Sequence, residues 1–146
     1  MYDFSKKILI DTGFMVALFN SDDEHYEDAR RTVEKIKDLK WHTTSFVVQE
    51  IFWLLSKRKS FSTACEFLQK VPSLFHLPNL PQDWPERVSN IVHRYSSAKI
   101  DLADASLVVL ADLLRTGQVV SVDRKDFSIL RWNGGRSHFY NLMDDL

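Results

Sequence analysis

The sequence predicts an α/β fold built on a mainly parallel sheet with helices on both faces. Short aliphatic runs alternate with stretches of helical length along the whole chain. Two of those runs, Ile8-Leu9-Ile10 and Val119-Val120-Ser121-Val122, pass directly into aspartates, Asp11 and Asp123. Ligands bind just beyond the carboxyl ends of the strands in open α/β sheets, so both acids belong at that edge. The 146 residues make one domain, 1–146, large enough for a single core.

Ile8-Leu9-Ile10 reads as a short buried strand, followed by Thr12, Gly13 and the start of a helix over the apolar run 14–19. Gly13 is expected to let the chain turn away from the sheet edge. Ser21-Asp22-Asp23-Glu24 is a helix-start signal. The helix expected over 25–40 is amphipathic: Tyr26, Ala29, Val33, Ile36 and Leu39 share a face opposite Arg30, Arg31, Glu34, Lys35 and Lys37. A short strand follows over 41–44, then Ser45 as cap of a helix over 46–57. That helix is apolar nearly all round, which predicts that it is mostly buried.

Lys57-Arg58-Lys59 suits the negative end of its dipole. The next helix spans 60–71, with Phe61, Ala64, Cys65 and Leu68 inward. All four prolines fall within 72–85, a loop-rich crossing with one short strand over 74–77. A helix follows over 85–96, with Pro85 at its first position and Val88, Ile91, Val92 and Tyr95 inward. The most apolar helix opens at Ile100-Asp101-Leu102-Ala103-Asp104-Ala105 and is expected to end at Gly117. After the strand at 119–122, residues 131–136 read as a turn or flexible loop and 138–142 as an edge strand.

Composition narrows the function. With 19 Lys and Arg against 20 Asp and Glu, the net charge is −1, which argues against nucleic-acid binding by bulk charge alone. The lone Cys65 rules out a disulfide framework and a zinc knuckle and fits a reducing cytoplasm. Lys6-Lys7 before an apolar run faintly suggests a signal peptide, but Asp11 interrupts that run and no small-residue cleavage site follows. No apolar run approaches the roughly 20 residues that span a bilayer. The expectation is a soluble intracellular protein.

Glu50 shares a helix face with Phe46, Val47, Trp53 and Leu54, and lies past the first turn where a capping box would place it. A carboxylate there is costly unless paired, hydrogen-bonded or metal-bound. Asp104 lies in the first turn of the apolar helix. Strand ends and the starts of the following helices share one sheet edge, so Asp11, Glu50, Asp104 and Asp123 can converge. Each also has a simpler reading: Asp11 or Thr12 as a cap, Asp101 and Asp104 as a cap pair, Asp123 as a turn former, Glu50 in an internal ion pair. Two charges ~4 Å apart repel by roughly 4 kcal/mol at an effective dielectric near 20, so bunched acids take up protons or a cation. Oxygen-only donors favour Mg²⁺ or Mn²⁺, the equipment of phosphodiester hydrolysis.

These motifs together resemble the PIN-domain ribonucleases, specifically the VapC-type toxins of toxin–antitoxin pairs. Ile8-Leu9-Ile10-Asp11-Thr12-Gly13 resembles the opening strand with its first acid, and Glu50 after Thr44-Ser45 the second. Leu102-Ala103-Asp104-Ala105-Ser106-Leu107 and Ser121-Val122-Asp123-Arg124-Lys125-Asp126-Phe127 resemble the last two motifs, with Ser121 where Thr is frequent. The resemblance implies a PIN-like three-layer fold with a sheet of four to five strands. It also implies Mg²⁺- or Mn²⁺-dependent endonucleolytic cleavage of RNA to 3′-hydroxyl and 5′-phosphate ends, a protein antitoxin and a homodimer.

On this reading Asp11 and Asp104 are the principal metal ligands, and Glu50 and Asp123 complete the cage. Thr12 and Ser121 support it. Arg124, Lys125, Arg131 and Arg136 are candidates for the RNA backbone, with Trp132 or His138 for stacking. The alternative is a non-catalytic PIN-like RNA-binding or scaffolding protein, whose signature would be a missing acid. A phosphoacceptor domain would need an adjacent acidic pair by Asp11, and Asp22-Asp23 lies too far along the chain.

Overall fold

A computed structural model describes residues 6–145. Strand β1 (Lys7–Ile10) has Ile8, Leu9 and Ile10 fully buried, as its aliphatic run requires. It pairs in parallel with β2 (Lys40–His42) on one side and β3 (Gln118–Val120) on the other. Strand β6 (Tyr140–Asn141) extends β3, giving a four-stranded parallel sheet of order β2-β1-β3-β6. The chain leaves β1 toward β2 and returns past it to β3, so the crevice between the ends of β1 and β3 is a topological switch point. Asp11 follows β1 there, its N–H bonded to the Val120 carbonyl at 3.1 Å.

Helices cover the sheet in chain order: α1 (Thr12–Leu18), α2 (Tyr26–Ile36), α3 (Ser45–Arg58), α4 (Phe61–Leu74), α5 (Trp84–Arg94), α6 (Leu102–Leu114) and α7 (Arg124–Ile129). Every residue from Ala103 to Ala111 is buried, so α6 is the most enclosed helix, as its apolar sequence predicts. Helix α3 packs against α1, α4 and α6. No helix among the described residues is long and apolar enough to cross a membrane.

Several local expectations are corrected. Helix α2 stops at Ile36 because Lys40 is taken up by pairing with Lys7 of β1. Thr44, not Ser45, caps α3, accepting from the Val47 N–H at 3.3 Å. The same helix is not mostly buried. Val47, Ile51 and Leu55 face the core, whereas Trp53 is 57% exposed with the Lys57 ammonium over its ring.

In α4 the inward stripe is Ala64, Phe67 and Val71, while Phe61 and Leu68 point out and Pro72 lies inside the helix. Pro85 falls one position after the first residue of α5. The strand expected over 74–77 shrinks to one parallel bridge between His42 and His76.

Helix α6 ends at Arg115, in the left-handed region at φ 56°, rather than at Gly117. Gly117 instead makes room for the Trp132 indole, which an added Cβ would overlap. Residues 131–136 open a tight hairpin, β4 (Arg131–Trp132) against β5 (Ser137–His138), turned by Asn133, Gly134 and Gly135 at positive φ. Gly13 does not turn the chain; it lies within α1, where a Cβ would overlap Val122.

Candidate metal centre

The end of β1 delivers Asp11 into a closed setting. Its Oδ1 accepts from the Thr12 N–H at 2.7 Å, so it caps α1, and its Oδ2 accepts from the Ser121 hydroxyl at 2.6 Å. Ser121 is itself fixed from the edge strand. The Asn141 side chain accepts from the Ser121 N–H at 3.2 Å and donates to its carbonyl at 2.8 Å. Ser121 Oγ also accepts from the Asp123 N–H at 2.9 Å, which sets the start of α7.

The capping readings and the clustering readings therefore hold together. Asp123 caps α7 through the Asp126 N–H at 3.0 Å, and Asp101 caps α6 through the Asp104 N–H at 2.8 Å. Asp104, Asp123 and Asp126 nevertheless each bring a carboxylate oxygen within 4.8 Å of the others.

Burial and crowding hold protons on this group. Burial, then the charges of Asp11, Asp101, Asp126 and Asp123, push the Asp104 carboxyl up to about 9. Burial raises Asp11 to about 7 against the opposing Ser121 and Thr12 hydrogen bonds, with Glu50 and Asp101 adding to the rise. Asp126 rises to about 6 through desolvation and its contacts with Asp123.

Glu50 is half-buried on α3, and desolvation raises it also; the Thr12 hydroxyl opposes that rise and the Asp101 carboxylate adds to it. Asp11 thus sits electrostatically between two groups, Asp104 with its neighbours and Glu50 with Asp101. Thr12 Oγ1 is fully buried without a partner in hydrogen-bonding geometry. Crowded oxygens and carboxyls held partly neutral fit a hard divalent cation.

All four acids named from the sequence reach the same sheet edge. The fifth and sixth, Asp126 and Asp101, were absent from that set. Asp126 lies three residues after Asp123 on one helix face, a spacing that brings side chains together. Asp101 reads in sequence only as a cap. Arg124 binds the Met143 carbonyl at 3.0 Å and pairs with Asp144 at 3.3 Å. Trp132 sits over Gly117, before the first residue of β3, and so at the opposite end of that strand from Asp123. The hairpin carrying Arg136 is there with it, and Asn133 binds Asp112 near the far end of α6.

A parallel sheet with an acidic pocket at its switch point offers oxygen ligands for a divalent cation where such folds bind their ligands. The PIN domain model matches residues 8–132, and the chain belongs to that family. The VapC resemblance read from the motifs is borne out. Ribonuclease VapC26 of Mycobacterium tuberculosis is 29% identical over 129 residues, covering 88% of this chain and 95% of that protein. The structure of M. tuberculosis VapC20, described as a sarcin-ricin loop cleaving toxin, superposes with a TM-score of 0.73 at 19% identity, covering 81% of this chain and 91% of that one. VapBC2 from Rickettsia felis, solved on a promoter DNA fragment, gives 0.64 at 14% identity over 92% and 98% of the two chains. These likenesses show the fold.

Proposed function

We propose that the chain is a Mg²⁺- or Mn²⁺-dependent endoribonuclease and the toxin of a toxin–antitoxin pair, a single domain over 1–146 acting in the cytoplasm. The observation that carries the reading is the convergence of Asp104, Asp123 and Asp126 within 4.8 Å, with Asp11 electrostatically coupled to Asp104. Asp11 and Asp104 would be the principal ligands, with Glu50, Asp123 and Asp126 completing the cage. The cation, when bound, supplies charge for an attacking hydroxide and for the leaving oxygen.

The chain's own residues orient and exclude. Ser121 holds Asp11 in one rotamer, and Asp123 is fixed as the cap of α7. Glu50, half-buried on α3 and reachable from solvent, would complete the cage or orient the attacking water. A protein antitoxin is part of the proposal, supported by similar structures solved as toxin–antitoxin complexes, including one from Klebsiella pneumoniae; a homodimer is proposed on the family resemblance alone.

The test is cleavage of single-stranded RNA with added Mg²⁺ or Mn²⁺ and its abolition by EDTA. Asp11→Asn and Asp104→Asn should each lower the rate by more than the roughly 100-fold that loss of a supporting group costs. Unchanged cleavage by both variants would overturn the assignment.

A further inference from the structure

We propose that the cleft between the start of α3 and the segment leading into α5 is a nucleobase pocket that holds one unpaired base of the RNA beside the acidic centre. The proposal rests on the ribonuclease reading above. The cleft encloses about 520 Å³. Phe46 and Trp84 meet edge to face in it, ring centroids 4.8 Å apart and planes at 66°, and Asn79 and Gln82 line the same space. Asn79 and Gln82 are exposed, and the two rings are half-buried.

Its position follows from the fold. Thr43 donates from Oγ1 to the Ile10 carbonyl at 2.8 Å, so the chain entering α3 starts beside Asp11. Thr44, on the cleft wall, shares a 2.7 Å hydrogen bond with the Ser106 hydroxyl, two residues beyond Asp104. Phe46 and Glu50 are four apart on α3 and so share a face. The cleft therefore opens one helical turn from Glu50.

The lining chooses the occupant. None of the residues that line the cleft is charged, and Asp83 and Glu50, close to them along the chain, are acidic, so a phosphate finds no counter-charge there. A base is flat, neutral and rimmed with donors and acceptors. Single-stranded RNA is read by stacking unpaired bases on aromatic rings and by hydrogen-bonding their edges. Phe46 and Trp84 supply the rings. Asn79 and Gln82 supply amides, each of which both donates and accepts. Pro78 and Pro81 stiffen the segment that carries them, which lowers the entropy lost when a base is gripped.

Fluorescence anisotropy of the full chain with short labelled homopolymers of A, C, G and U, in EDTA, tests the pocket without cleavage. Trp84→Ala should weaken binding by about 5- to 100-fold, the range of one base–aromatic stack, and Trp84→Phe should keep most of it. Asn79→Ala and Gln82→Ala, both at exposed positions, should change the ranking of the four homopolymers, and cleavage with Mg²⁺ should show the same change. Trp53→Ala, two turns along α3 from Phe46 and outside the cleft lining, should leave affinity and ranking unaltered.

The pocket is refuted if folded Trp84→Ala binds with parental affinity while the amide variants keep the parental ranking, even if they lose a protein partner. It is also refuted if Trp53→Ala weakens RNA as much as Trp84→Ala does. A parent that cleaves RNA alongside indifferent variants sinks the pocket and leaves the ribonuclease reading standing. A parent that neither binds nor cleaves RNA sinks both.

Discussion

Ser121 is the residue on which the geometry of Asp11 turns. It is fully buried and donates to Asp11 at 2.6 Å, while Asn141 holds its backbone from both sides. Removing the hydroxyl frees the Asp11 rotamer and takes away the hydrogen bond that favours its charged form. Ser121→Ala should therefore lower Mn²⁺ affinity or cleavage by about 10- to 100-fold, and Ser121→Thr, which keeps the hydroxyl, should retain most of both. Titration with Mn²⁺ at fixed RNA separates the two quantities. The four acids were legible in the sequence because each stands where an apolar strand or helix meets a sheet edge. Asp126 was not, because its place depends on how the short helix α7 turns it and the capping Asp123 toward Asp104.

At the scale of elements, α1 is held against the segment after β3 by the absence of a side chain. A methyl on Gly13 would gain helix propensity of about 1 kcal/mol but would overlap Val122 Cγ2, and a β-branched valine has little freedom to move aside. Overpacking of this kind costs about 1–3 kcal/mol. Gly13→Ala should lower the thermal midpoint, and the double variant Gly13→Ala/Val122→Ala should recover it, as read by circular dichroism melts. Strands and helices were visible from hydrophobic period, since β1 and α6 bury their apolar runs and α2 buries Ala29 and Ile36 of its expected face, with Tyr26 and Val33 half-buried. The period misled in α3 and α4. Apolar residues surround both helices there, so composition does not say which face meets the core, and Trp53, Phe61 and Leu68 remain exposed. Gly117 read as a helix stop, whereas the reason for it lies in Trp132, fifteen residues later and folded back over it.

For the molecule as a whole, the acidic pocket sets how stability depends on pH. Asp104, Asp11 and Asp126 ordinarily release their protons near 3.8 but hold them up to about 9, 7 and 6 in the folded chain. Between those limits the native state binds more protons than the unfolded state, so stability falls as pH rises. Thermal melts in EDTA should give a lower midpoint at about pH 8 than at about pH 5. Mg²⁺ or Mn²⁺ should oppose that loss, adding about 2.7 kcal/mol at a hundred times its dissociation constant, and should act more strongly at the higher pH. Melts that do not respond to either pH or cation would contradict the raised carboxyls.

The parallel pairing of β1 with β3 has one more consequence, for the order of events during synthesis. Asp11 and its hydrogen-bond donor are 110 positions apart, and the side chain that clamps that donor lies 20 further on. A ribosome adding about 5–20 residues each second needs several seconds to cover that interval. Throughout it the first acid is already made and the pocket cannot exist. The clamp on Ser121, and with it the fixed Asp11, cannot form on the growing polypeptide before Asn141 has been translated.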